Sequence, residues 1–139
     1  MQNVLADTGI WYALFDSRDE HYEDAIGKAD YLDLHQVVVP WPVLYETLGT
    51  RFVKNSLAFG AFERYLKKPH ISFLDDGAYR EQALRVSLDS SLRHSRPLSL
   101  VDCAIRLILE DVDVKIDYLA TFNKRDFADV CRKRSIEII

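Results

Sequence analysis

The chain has 139 residues, of which 18 are basic and 22 acidic, giving a formal net charge of −4. That length fits one domain, 1–139, which can remove roughly two thirds of its unfolded surface from water without disulfide or metal staples. Apolar residues at 48% and charged residues at 29% exclude a disordered, collagen-like or coiled-coil chain. The acidic balance excludes binding of nucleic acid by bulk charge, so any such contact must rest on local patches or a metal ion.

In chain order, Asn3 to Ala6 is a short apolar run stopped by Asp7, read as a buried strand. Thr8 and Gly9 make a turn, and Ile10 to Phe15 a short helix. Asp19 to Leu34 carries Tyr22, Ala25, Ile26, Ala29 and Leu32 at helical spacing, one apolar face of a second helix. Val37 to Val39 are consecutive and β-branched, a second buried strand closed by Pro40. Pro42 suits the first turn of a new helix, and Trp41, Leu44, Tyr45, Leu48 and Phe52 follow its spacing. Leu57 to Leu66 continues as another helix, ended by Lys67, Lys68 and Pro69. Ile71 to Leu74 is expected as a strand at a sheet edge, Asp76 to Leu92 as a helix, and Arg93 to Pro97 as a basic loop. Ser99 to Leu109, apolar on nearly every side, is expected as a central helix. Ile116 to Thr121 is a strand, Asn123 to Arg134 a short helix, and Ile136 to Ile139 a closing strand. Apolar strands separated by helices imply a mainly parallel sheet covered on both faces, a three-layer α/β/α sandwich.

Cys103 and Cys131 have no metal-ligand spacing and read as thiols of a reducing compartment. Asp7 interrupts the apolar start and the first positive side chain is Arg18, so no secretory signal is expected. The longest uncharged apolar stretch, Val37 to Tyr45, contains two prolines and is far short of a membrane span. A soluble cytoplasmic protein is expected.

Ligands of an open α/β sheet sit beyond the carboxyl ends of its strands. Asp7 ends the first strand, Glu46 lies early in the helix after the second, and Asn123, Lys124, Arg125 and Asp126 directly follow Thr121. Asp102 stands in the first turn of the apolar helix. Each acid has a plainer explanation. Asp7 can cap the short helix, and Glu46 lies off the Trp41/Leu44/Leu48 stripe as a solvated residue would. Ser99-Leu100-Val101-Asp102 matches a capping box, and Asp126 is a first-turn acid favoured by the helix dipole. His21, His35, His70 and His94 show no paired ligand spacing, which argues against zinc. There is no phosphate-binding P-loop, no Gly-rich dinucleotide fingerprint and no nucleophile elbow.

Taken in order, the motifs resemble those of PIN-domain ribonucleases, and most of all the VapC toxins of bacterial and archaeal toxin–antitoxin pairs. The residues that carry the resemblance are Leu5-Ala6-Asp7-Thr8-Gly9-Ile10-Trp11-Tyr12-Ala13-Leu14, Asp19-Glu20-His21-Tyr22 and Tyr45-Glu46-Thr47-Leu48-Gly49-Thr50. They continue with Leu98-Ser99-Leu100-Val101-Asp102-Cys103-Ala104 and Ala120-Thr121-Phe122-Asn123-Lys124-Arg125-Asp126-Phe127. The resemblance implies that Asp7, Glu46 and Asp102 are acidic metal-binding positions and that Thr8 is a hydroxyl position beside the first. Two departures stand out: Gly9 occupies a place where relatives often carry a small hydroxyl residue, and Asn123 one where many carry Asp. The later Asp126 is then the fourth acid.

The activity so implied is metal-dependent endoribonuclease cleavage by a toxin, using Mg2+ or Mn2+. A divalent ion can lower the pKa of bound water, neutralise the phosphate and align the attacking and leaving oxygens. Magnesium takes oxygen ligands and keeps several waters, so one or two direct carboxylates suffice. Without the ion, two carboxylates about 5 Å apart repel by roughly 3 kcal/mol at an effective dielectric near 20. Asp7 would be the central ligand, Asp102 would share or bridge the ion, Glu46 would ligate or hold a bound water, and Asp126 with Asn123 would complete the outer side or orient the attacking water. Thr8 and Thr121 would donate to a ligand carboxylate or the phosphate. Arg51, Lys54, Arg93, Arg96, Lys124 and Arg125 are candidates for phosphate contact, although ordinary solvated charge is the first reading of any one of them. Trp11, Tyr12 and Tyr45 are placed either to stack a base or to fill the core. The implied partners are RNA, a small antitoxin whose C-terminal segment covers the acidic groove, and a second copy in a homodimer, with no membrane. A housekeeping RNA-processing nuclease and a catalytically silent binding module are the alternatives.

Overall fold

The protein is described by a computed structural model over residues 1–139, Thr50 through its backbone alone. Five parallel strands, β1 (Asn3–Ala6), β2 (Gln36–Pro40), β3 (Ile71–Leu74), β4 (Tyr118–Ala120) and β5 (Glu137–Ile138), form one sheet in the order β3-β2-β1-β4-β5. Val4, Leu5 and Ala6 are consecutive, so their side chains point to alternate faces, yet all three are fully buried. Both faces are therefore covered, as a parallel sheet requires. Ile71 to Leu74 sits at the edge, where its half-exposed side chains fit.

The helices are α1 (Thr8–Phe15), α2 (Tyr22–Leu34), α3 (Trp41–Thr47), α4 (Thr50–Val53), α5 (Ser56–Leu66), α6 (Arg80–Arg93), α7 (Leu100–Glu110) and α8 (Ala128–Arg134). Helix α1 packs on α2, α3 and α5, and α7 packs on α3, α6 and α8. Trp11, Phe15, Phe52, Phe62 and Tyr65 form one aromatic cluster, with Trp11 and Phe62 centroids 5.3 Å apart.

Several boundaries differ from the periodicity reading. The helix expected from Trp41 to Phe52 divides at Leu48–Gly49, and a Cβ on Gly49 would stand 3.0 Å from the Glu46 carbonyl oxygen. The glycine thus permits the tight turn that leaves Glu46 in the last turn of α3 rather than early in a long helix. The segment expected as one helix from Asn123 begins as a 3-10 turn, Lys124–Asp126, before α8. Ile116 is buried but precedes β4, and α6 starts at Arg80 because Asp76 to Tyr79 form a turn. Helix α7 is not apolar all round: Cys103, Ala104, Ile105, Ile108 and Leu109 are buried, whereas Leu100 is exposed. Both cysteines are buried free thiols. No helix among the described residues is long and apolar enough to cross a membrane.

Candidate active site

In chain order the sheet grows from β1 to β2 and β3 on one side and to β4 and β5 on the other. The crevice between β1 and β4 is therefore the switch point of the fold, where ligands of open α/β sheets bind. Asp7 follows the last residue of β1 and Thr121 the last of β4, so both stand at this crevice. Helix α7 connects back to β4 and must run against the strands, which brings its first turn, with Asp102, to the same rim.

Asp7 extends the ladder, its backbone N–H donating to the Ala120 carbonyl at 3.0 Å. It is also the N-cap of α1, accepting from the Thr8 N–H at 2.8 Å. Capping and site membership therefore coexist in one residue. Its second carboxylate oxygen accepts from the Thr121 hydroxyl at 3.0 Å, and that hydroxyl in turn accepts from the Asn123 N–H at 3.0 Å. The Asn123 amide then makes a short bond to the Asp126 carboxylate. One chain of hydrogen bonds thus links Asp7, Thr121, Asn123 and Asp126.

Burial pushes the Asp7 carboxyl up from 3.8 to about 6; the bonds from Thr8 and Thr121 oppose this, and the charges of Asp102 and Glu46 add to it. Burial also raises Asp102, opposed by the Ser99 hydroxyl and reinforced by Asp126 and Glu46. These mutual shifts place all four acids in one electrostatic neighbourhood. Ser99 caps α7 by accepting from the Asp102 N–H at 3.1 Å. The return bond of a full capping box, from the Ser99 N–H to the Asp102 carboxylate, is not made among the described residues. Glu46 is exposed on the rim, and its carbonyl accepts from the Tyr12 hydroxyl at 2.7 Å, which ties α3 to α1.

An all-oxygen set of carboxylates suits a hard divalent cation. The Thr8 hydroxyl, buried beside Asp7 and without a hydrogen-bond partner, is a further oxygen such a ligand could satisfy. Among the described residues no group of three His, Cys, Asp or Glu side chains is drawn together as direct metal ligands. The donor set therefore fits an ion held by one or two carboxylates and reached by the others through water.

The expected cationic residues divide into two groups. Arg51 faces Asp19 at 3.5 Å and lies 5.2 Å from the Tyr12 ring, and Arg93 faces Asp89 at 3.5 Å. Arg96 turns inward, donating to the Arg125 carbonyl at 2.8 Å and lying 3.8 Å from the Asp126 carboxylate. Lys54, Lys124 and Arg125 are exposed and make no ion pair among the described residues. Trp11 is fully buried in the aromatic cluster and cannot stack a base, whereas Tyr45 is 74% exposed. Tyr45, Glu46, Pro42, Leu100, Val101 and Ala104 line an open groove of about 480 Å³ beside the acids.

One polar residue escaped the sequence reading. Arg106, one turn beyond Asp102, donates to the Asp126 carbonyl at 2.7 Å and forms a two-pronged pair with Asp129 at 2.7 and 2.8 Å. Its partners lie 20 and 23 residues away in sequence, so no local spacing announces the contact.

A parallel α/β/α sandwich with acids gathered at its switch point is the architecture that the PIN-domain resemblance implies. Among solved structures the chain is similar to VapC20 of Mycobacterium tuberculosis, described as a sarcin–ricin loop cleaving toxin. The TM-score is 0.69 at 22% identity, over 91% of this chain and 94% of that one. The likeness establishes a shared fold across nearly the full length of both. No protein-family model matches the sequence, and no curated protein aligns with it significantly.

Proposed function

We propose that this chain is a metal-dependent endoribonuclease that hydrolyses RNA phosphodiester bonds as the toxin of a toxin–antitoxin pair. The observation that carries the reading is the cluster of Asp7, Glu46, Asp102 and Asp126 at the β1/β4 crevice. The fold shared with a toxin that cleaves the sarcin–ricin loop supports the choice of RNA as substrate.

Asp7 and Asp102 would hold Mg2+ or Mn2+, with Glu46 as acceptor for a bound water. When bound, the ion supplies charge neutralisation at the phosphate and lowers the pKa of a coordinated water. Thr121 keeps the Asp7 carboxylate oriented by donating to one oxygen, and the Thr8 backbone N–H donates to the other. Asp126, anchored by Asn123, would orient the attacking water and accept its proton as the water oxygen bonds to phosphorus; the phosphorus–oxygen bond to the leaving sugar breaks, and that oxygen takes a proton from solvent. Lys54, Lys124 and Arg125 are the exposed cations best able to meet flanking phosphates, and Tyr45 can stack a base.

The partners proposed with this reading are a small antitoxin whose C-terminal segment closes the acidic groove, and a second copy of the chain. The dimer would use α6, which exposes Leu84, Leu88 and Leu92 four residues apart on one side. A cytoplasmic location follows from the same reading. The test is RNA cleavage by wild type and by Asp7→Asn with added Mn2+ or Mg2+. Wild type should cleave, and the variant should lose more than about 100-fold while remaining folded. Metal-independent cleavage, or none at all, would end the reading. Cleavage without growth arrest on expression would point instead to a housekeeping processing enzyme.

A further inference from the structure

The acids approach one another from elements far apart in sequence, so something must fix their spacing. Asp102 is carried by α7, a regular helix in the sheet's cover. Asp126 ends the 3-10 turn, three residues long and with no buried residue, and Asn123 immediately precedes it. Asp126 has one hydrogen bond to its side chain, from Asn123 in the same turn, which fixes the carboxylate within the turn but not against α7.

The turn is gripped from outside by two guanidinium groups. Arg96 donates to the Arg125 carbonyl at 2.8 Å, and Arg106 donates to the next carbonyl, that of Asp126, at 2.7 Å. Arg106 is the more enclosed, its side chain 16% exposed against 42% for Arg96. Its other nitrogen and the shared one meet both Asp129 oxygens, so the planar group has one orientation, set by a carboxylate at the start of α8. Arg106 and Asp102 stand on the same helix one turn apart. The distance from the Asp102 carboxylate to the Asp126 backbone is therefore spanned by one helix turn and one rigid fork.

We infer that Arg106 is a positioning residue that fixes the Asn123–Asp126 turn against Asp102 and so sets the width of the metal-binding rim. The inference rests on the metal-nuclease reading above. Arg106 acts through geometry: it touches a carbonyl and a distal carboxylate, not the rim carboxylates themselves. Lysine keeps the charge but offers no planar fork and cannot hold the carbonyl and both Asp129 oxygens in register. Groups that hydrogen-bond a metal ligand directly commonly change metal affinity by about 10–100-fold, so a contact one step further out should act at the lower end of that range.

The test is Mn2+ binding to the protein alone by calorimetry, with kcat and KM on an RNA oligonucleotide, for wild type, Arg106→Lys, Asp126→Ala and the double variant. Arg106→Lys should weaken Mn2+ binding by about 10-fold or more and lower kcat, leaving KM for RNA unchanged. In the Asp126→Ala background the same substitution should add almost nothing, because the group it positions is already gone. Asp129→Asn, which leaves the carbonyl contact in place, should show a smaller effect in the same direction and carries the cycle if Arg106→Lys does not fold. A purely structural role would lower the melting temperature while Mn2+ affinity stays within twofold of wild type, or would give additive effects in the cycle. Either result overturns the inference. Wild type that neither binds Mn2+ nor cleaves RNA removes the functional reading and the inference together, whereas an active wild type with an additive cycle removes the inference alone.

Discussion

At Asp7 a bond from the Thr8 backbone, a bond from the Thr121 hydroxyl and a burial penalty act on the same carboxyl, and burial wins. The folded protein holds the proton more tightly than the unfolded chain, with a pKa of about 6 against 3.8. Between those values the native state is protonated and the unfolded state is not, so stability falls as pH rises through this window. Two pKa units correspond to an effect on the order of 3 kcal/mol. Metal-free protein should therefore melt at a higher temperature near pH 4.5 than near pH 7.5 as far as Asp7 is concerned, and added Mn2+ should restore the loss at the higher pH. Asp7→Asn should flatten this dependence. The amide keeps the Thr8 bond, and the Thr121 hydroxyl can rotate to accept from it, so the metal-free variant should be at least as stable as wild type at neutral pH. A melting curve of Asp7→Asn that retains the full wild-type pH slope would show that the penalty lies elsewhere. Asp102→Asn belongs to the same cluster and should abolish cleavage without lowering metal-free stability, since its backbone N–H, not its carboxylate, makes the cap bond.

Among the elements, α7 shows how a local device and a site share residues. Ser99→Ala removes the acceptor for the Asp102 N–H and should cost about 1 kcal/mol, measured by denaturant unfolding. It also removes the hydroxyl facing the Asp102 carboxylate, so cleavage should fall more than stability alone explains. The turn after α3 is equally specific. Gly49→Ala places a methyl group 3.0 Å from the Glu46 carbonyl, which already accepts from Tyr12. That variant should weaken Glu46's contribution and lower cleavage while the core elements stay folded. Strands β1 and β2 were legible in the sequence because short, continuous apolar runs in a covered sheet have few other uses. The break at Leu48–Gly49 was not, because the apolar spacing from Trp41 to Phe52 runs straight through a turn that only backbone crowding reveals. Helix α7 looked apolar all round for a related reason: composition records Leu100 and Leu107 as hydrophobic but not which neighbour covers them.

For the whole molecule, acids shifted in opposite directions compete in the pH dependence: burial raises Asp7 and Asp102, whereas hydrogen bonds lower Asp16, Asp111 and Asp129. The Arg106 guanidinium beside Asp129 holds its carboxyl well below the usual range, a contribution present above about pH 4 and lost as pH falls through the folded value. The α7–α8 contact should therefore persist to low pH, and Asp129→Asn, which removes its contribution at neutral pH, should raise the pH at which acid unfolding begins. The exposed leucines of α6 make a separate claim about assembly. Leu88→Glu should leave the monomer folded and shift the oligomeric state measured by light scattering from dimer to monomer. A wild type that is monomeric at micromolar concentration would remove the second copy from the proposal.

The amino-acid sequence by itself determined the alternation of buried strands and one-faced helices, the placing of Asp7 and Asn123 to Asp126 just beyond strand ends, and that of Glu46 in the helix after β2. Those features are written in periodicity and punctuation, which act over a few residues. Only the tertiary structure decided that Asp102 is both helix-start residue and rim acid, that Trp11 is core, and that Arg96 and Arg106 grip backbone carbonyls. Each of these depends on groups distant in the chain meeting at one place, and on the burial that follows. A carboxylate's charge cost and a guanidinium's partners are set by that meeting and not by sequence neighbours.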